Sequence, residues 1–221
     1  MRKLMLLLTL LTAWVAAYAN PVVVDFIRFN NSGQWQNGYP YWVLLQGMGF
    51  EPVMCDDYLH GGDPDQTWLA NETNLGTQDL SLTRFGTLNG ALTLYDKAGW
   101  LLLQTRQTGL NQWQEMNSAT WNLFDPSAPC DAGCEFWLAA AQKEADRGFQ
   151  GIDFDLVGIL TPFHDQQGND PNGPQEFLYL GGVPDCSFCA PNQSSGTTPE
   201  PATLLMVGTG AAVLWQRKRM G

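Results

Sequence analysis

The chain has 221 residues, with 22 acidic against 11 basic side chains and a formal net charge of −11. Such an acidic surface repels nucleic acid and anionic lipid headgroups, which excludes both as primary ligands. The body between the two chain ends is long enough for one domain with a substantial core, or for two small subdomains.

In chain order, Met1-Arg2-Lys3 is a basic opening, Leu4 to Ala16 is apolar, and Ala17-Tyr18-Ala19 fits the small-x-small cleavage pattern. Residues 1–19 therefore read as a helical signal peptide removed after Ala19, for export through the Sec translocon. Residues 20–190 follow as the exported domain. Residues 22–29 (VVVDFIRF) are β-branched and aromatic, and predict a strand. Turn residues at 30–38 lead to a second strand at 39–46, giving a hairpin with a long loop. Residues 51–55 and 66–70 predict two more short strands, separated by the loop HGGDPD at 60–65.

The period then changes. Between residues 88 and 106, Leu92, Tyr95, Ala98 and Leu102 recur at helical spacing. Asn111 is placed to cap a helix over 112–124 that stops near Pro126. Residues 134–147 (CEFWLAAAQKEADR) predict the clearest helix, acidic early and basic late, with Gly148 as its stop. Alternation predicts strands at 151–160 and at 175–180. Residues 191–198 form a polar, flexible linker. The expected fold class is thus α+β, with antiparallel strands flanking a central group of helices.

The chain closes on Pro199-Glu200-Pro201, a 14-residue apolar run from Ala202 to Trp215, and Arg217, Lys218 and Arg219. The prolines hold their stretch extended. The apolar run reaches roughly 21 Å as a helix, short of a bilayer core of about 30 Å, so it suits a temporary stop better than a lasting anchor. The three cations belong on the cytoplasmic side. Over residues 199–221 this arrangement resembles the PEP-CTERM sorting signal. The resemblance implies cleavage at Pro199-Glu200-Pro201 by an exosortase, a membrane protease, followed by delivery to the cell surface or to an extracellular polysaccharide matrix. Without the terminal signals, residues 20–200 hold 6 basic and 22 acidic side chains, a net charge of −16.

Five cysteines in an exported chain point to disulfides. Cys130 and Cys134 form one close pair, and Cys186 and Cys189 another. Two local bridges, two crossed bridges or a four-thiolate zinc site all fit the spacing, and each leaves Cys55 alone.

Candidate chemistry is sparse. Asp56, Asp57 and Asp63 lie near His60, one of only two histidines with His164, and read either as a solvated acidic loop or as a cation or proton-transfer site. Asp153 and Asp155 share one face of the expected strand, the arrangement of paired carboxylates. No serine-nucleophile motif, phosphate-cradling glycine loop or zinc helix is found, so neither a catalytic site nor a cofactor is expected. The seven tryptophans of residues 20–200 read as core, or as an aromatic surface able to stack on sugar rings.

The segments VMCDD around Cys55, AGWLLLQ, MNSATWNLF and GPQEFL together resemble an exported domain found ahead of PEP-CTERM tails. Parts are also similar to the thioester domains of bacterial surface adhesins. In those domains a Cys bonds to a Gln four residues before a Trp, storing acylating power for covalent attachment. The matching positions are Cys55, Trp121 and Asn117, and Asn is one methylene shorter than Gln. Three functions follow as expectations: a non-catalytic matrix component, a covalent adhesin acting through Cys55, and a matrix polysaccharide hydrolase using Asp153 and Asp155.

Overall fold

The computed structural model describes residues 21–27, 40–60, 66–108 and 112–181. The runs holding β-branched and aromatic residues form six strands: β1 (Val22–Ile27), β2 (Tyr41–Leu45), β3 (Gly49–Cys55), β4 (Thr67–Asn74), β5 (Val157–Pro162) and β6 (Phe177–Leu180). Three helices, α1 (Ala91–Thr108), α2 (Trp113–Phe124) and α3 (Ala132–Asp146), lie between β4 and β5 in sequence.

The expected class of strands flanking a central group of helices needs correction. All six strands join into one closed antiparallel barrel, in the order β1-β2-β3-β6-β5-β4. The helices separate the strands along the chain but not in space, because β5 and β6 return to fill the gap between β3 and β4. Local periodicity identifies strands. Closure depends on pairings such as Ala70 with Pro162, which alternation does not encode.

Alternation along the strands builds two cores. Val24, Val43, Leu45, Val53, Cys55, Trp68, Ala70, Leu160, Phe177 and Tyr179 face inward, and come from all six strands. Met54, Val157, Ile159 and Leu178 face outward onto a second core with Tyr95, Leu101 and Leu102 of α1, Met116 of α2 and Trp137 of α3. Burying each such leucine or methionine contributes about 1.5–3 kcal/mol. Strand β5, buried on both faces along its whole length, divides the two cores.

Several expected boundaries move. The strand expected at 151–160 starts only at Val157, because the Asp153 side chain accepts the Asp155 amide and caps a 3-10 turn at Phe154–Leu156. The first helix starts at Ala91 rather than 88, and the third at Ala132, where Asp131 Oδ1 accepts the Cys134 amide at 3.0 Å. Gly148, at φ 70°, takes the left-handed conformation that ends α3. The signal peptide with Ala17 and Ala19, the helix cap Asn111, the linker and the tail from Pro199 through Arg219 lie outside the described residues. Among the described residues, no helix is long and apolar enough to cross a membrane.

Candidate functional site

The chemistry-bearing residues meet where β3 and β6 leave the barrel under α1 and α2. Cys55 ends β3 and is wholly buried. Its backbone N–H donates to Asn117 Oδ1 at 2.9 Å, so this side chain of α2 ties the helix to the barrel. The Cys55 thiol donates to the Asp57 carbonyl at 3.3 Å, and Trp121 hydrogen-bonds the sulfur from one turn further along α2. Burial pushes the thiol well above its usual range, with Asp56 adding to the rise while Trp121 and Arg84 oppose it. Burial thus favours the neutral thiol over the thiolate. Asn117 Nδ2, also buried, finds no acceptor among the described residues.

The ladder continues beyond its last rung. Cys55 pairs with Phe177, which sets Asp56 opposite Glu176, and Leu160 pairs with the same Phe177, which sets Thr161 beside Glu176. Asp56, Glu176 and Thr161 are all fully buried. Glu176 accepts three hydrogen bonds: from the Arg84 backbone N–H at 2.8 Å, from the Tyr95 hydroxyl at 2.5 Å and from the Thr161 hydroxyl. Asp56 receives no donor from any other described residue; its own backbone N–H and the Glu176 carboxyl are what its side chain meets. Burial first, and Glu176 second, hold the Asp56 carboxyl far above the usual carboxylate range.

Asp57 is satisfied differently. Its Oδ2 pairs with Arg84 Nη1, and its Oδ1 lies 2.7 Å from His60 Nδ1. The Arg84 Nη2 also donates to the carbonyls of Asp165 and Pro174 at 2.8 and 3.1 Å. His60 Nε2 lies 3.0 Å from the Gly168 carbonyl, so both ring nitrogens face acceptors. Gln175 Nε2 donates to the carbonyls of Asp57 and His60, locking the turn after β3.

The structure therefore brings together Cys55, Asn117, Trp121, Asp56, Asp57 and His60. The acidic segment around His60 is not a solvated loop at Asp56 and Asp57; Asp63 lies outside the described residues. Sequence reading missed Arg84, Tyr95 as a hydroxyl donor, and Glu176 as a buried acid. One signal was available: Arg84 is the sole basic residue between Arg28 and Lys97, and buried acids call for such a cation.

The other candidates fall elsewhere. Asp153 and Asp155 are exposed and do not project from a strand as a carboxylate pair. They line an open cavity of about 360 Å³ with Leu75, Gln78, Asp96 and Phe149. Burial pushes the half-buried Asp96 up to about 6. His164 is exposed and packs edge-on to Phe163. Cys130 and Cys134 form a local disulfide at the start of α3, which removes the crossed pairing and the four-thiolate zinc site; Cys186 and Cys189 lie outside the described residues. Among the described residues, no group of three or more His, Cys, Asp or Glu side chains is arranged to hold a metal ion.

Residues 197–219 match the PEP-CTERM protein-sorting motif. The chain thus carries the mark of an exosortase-processed protein, exported to the surface or the exterior. No curated protein matches the chain. Among solved structures, the chain is similar to the N-terminal domain of the Streptococcus pyogenes pilus tip adhesin Cpa, with 12% identity, a TM-score of 0.46, and coverage of 76% of this chain and 97% of that one. The N-terminal thioester domain of the fibronectin-binding protein SfbI from Streptococcus pyogenes gives the same identity, TM-score and coverage. The N-terminal thioester domain of a surface protein from Clostridium perfringens is 12% identical, with a TM-score of 0.45 and coverage of 74% and 99%.

Proposed function

We propose that this chain is a non-catalytic component of the extracellular polysaccharide matrix, delivered there by exosortase cleavage at Pro199-Glu200-Pro201. The sorting motif supports the delivery. The observation that carries the non-catalytic part is the junction of Cys55 with Asn117. The only thiol of the described residues outside a disulfide is buried, and the amide oxygen beside it accepts a backbone hydrogen bond that pins α2 to β3. The acids nearby are turned inward onto Arg84, Tyr95 and Thr161 rather than toward a cleft.

The test is fractionation of the producing cells. The wild-type protein is expected in the polysaccharide fraction, and enzymatic digestion of that polysaccharide should free it. Replacing Pro199, Glu200 and Pro201 by alanine should leave a longer precursor in the inner membrane. Release of this variant at the wild-type level would refute the delivery. Recovery of the wild-type protein in the medium, unaffected by polysaccharide digestion, would refute the destination. Turnover of any glycan in a panel would refute the absence of catalysis.

A second reading, a covalent adhesin, is favoured by one detail. Asn117 Oδ1 is polarised by the Cys55 N–H while its Nδ2 lacks an acceptor. Attack of the Cys55 sulfur on Asn117 Cγ would form a thioester, with the thiol proton leaving on Nδ2 as ammonia. Intact mass separates the readings: a deficit of one ammonia, reversed by treatment with an amine, selects the adhesin, and the full mass selects the matrix component.

A further inference from the structure

We propose that Asp56 and Glu176 form a proton-operated latch that closes the barrel end over Cys55 and opens as the surroundings become alkaline. The two side chains occupy the rung next to Cys55 and Phe177, directly across the β3–β6 ladder, and both are fully buried. Two carboxyl groups attract one another only with a proton between them, whereas two carboxylates on facing positions repel. The hydrogen bonds decide which group keeps the proton. Glu176 accepts from the Arg84 amide, the Tyr95 hydroxyl and the Thr161 hydroxyl, and is furnished as an anion. Asp56 has no donor from any other described residue, only its own backbone N–H, and is furnished as an acid that donates to Glu176.

The surroundings oppose a second negative charge more than they relieve it: burial and Glu176 outweigh Arg84 and the Asp56 amide. From β6 Asp56 faces Glu176, from α1 the Tyr95 hydroxyl, and from β3 the Cys55 thiol. The Arg84 guanidinium is the only cation near the pair among the described residues, and it is already bound to Asp57, which His60 also contacts. Loss of the Asp56 proton would therefore push apart the ends of β3 and β6. Cys55 and its bond to Asn117 sit on the next rung and would be uncovered with them. Because the folded state holds this proton more tightly than the unfolded chain, stability falls as pH rises from the ordinary carboxylate range near 4.

The inference rests on a free Cys55 thiol, so intact mass is measured first on the processed protein. Thermal midpoints are then recorded from about pH 5 to about pH 9 for the wild type, Asp56→Asn and Glu176→Gln, with the rate of Cys55 alkylation by a small neutral reagent. The amide of Asp56→Asn donates to Glu176 without a titratable proton, and Glu176→Gln removes the repelling charge. Both variants should flatten the fall in midpoint. The wild-type alkylation rate should climb with pH more steeply than theirs, by up to about tenfold per pH unit for one linked proton. Parallel midpoint and alkylation profiles in all three proteins would overturn the latch. If neither variant folds, amide exchange at residues 54–56 in the wild type decides: protection independent of pH, after correction for intrinsic exchange, overturns it as well. A mass lighter by one ammonia would reject the free thiol alone, and the midpoint profiles would still judge the latch.

Discussion

Gly158 of β5 lies flat against the ring of Tyr179 across the β5–β6 ladder, and a Cβ there would stand well inside contact with Cε1 and Cζ. The ring needs this space because its hydroxyl reaches Glu72 on the far side of β5. Gly158→Ala should destabilise by about 1–3 kcal/mol, the usual cost of overpacking a filled interior. Urea unfolding of the variant measures it, and Gly158→Ala combined with Tyr179→Leu should recover part of the loss.

Arg84 has the most consequential side chain in the buried nest. Arg84→Met removes the partner of Asp57 and the donor to the Asp165 and Pro174 carbonyls. An uncompensated buried carboxylate costs about 3–5 kcal/mol. Arg84→Lys should rescue little, since one ammonium cannot reproduce a planar fork serving three acceptors. Denaturation midpoints of the two variants should therefore lie close together and well below the wild type.

Two carboxyls outside the nest give a pH dependence of the same sign. Burial pushes Glu51 up to about 7 and Asp96 up to about 6. Each favours the proton in the folded state more than in the unfolded chain, so its contribution is fully present below the ordinary carboxylate range. That contribution is lost as pH rises through about 6 for Asp96 and about 7 for Glu51. The protein should be more stable near pH 5 than near pH 8, and Glu51→Gln with Asp96→Asn should reduce the difference. Chemical denaturation at the two pH values measures it.

Reduction of the Cys130–Cys134 bridge should cost about 2 kcal/mol, since so short a loop restrains little of the unfolded chain. The double variant Cys130→Ser, Cys134→Ser should reproduce that loss without reductant. Far-ultraviolet dichroism should change little, because Asp131 still caps α3.

Strands and helices were legible wherever their period held. Leu92, Tyr95, Ala98 and Leu102 fall within α1, and Tyr39 to Gln46 frames β2. The 151–160 segment misled because Asp153, Asp155 and the intervening Phe154 alternate as a strand would. The same spacing lets an aspartate side chain reach the amide two residues ahead, and that local hydrogen bond won. Barrel closure was invisible, since no residue of β5 announces β4 as its neighbour. Cys55 and Asn117 were singled out through resemblance alone, and they meet across 62 positions. Glu176 stood in plain sight inside the apolar run QEFLYL. Its burial became intelligible only once the fold placed Tyr95, Thr161 and Arg84 around it.

The chain order of the barrel sets a timetable for export. β1 to β4 emerge first, yet β3 and β4 keep one bare edge each until β6 and β5 arrive, with three helices in between. Bare edges recruit other strands, including those of sister molecules. The hazard lasts until Leu180 has crossed, shortly before the sorting motif begins at residue 197. Because the motif follows β6 along the chain, the final strand precedes the cleavage site and the last two seams can close before the tail is removed. Exosortase cleavage would then release a finished barrel rather than a four-stranded fragment prone to cluster.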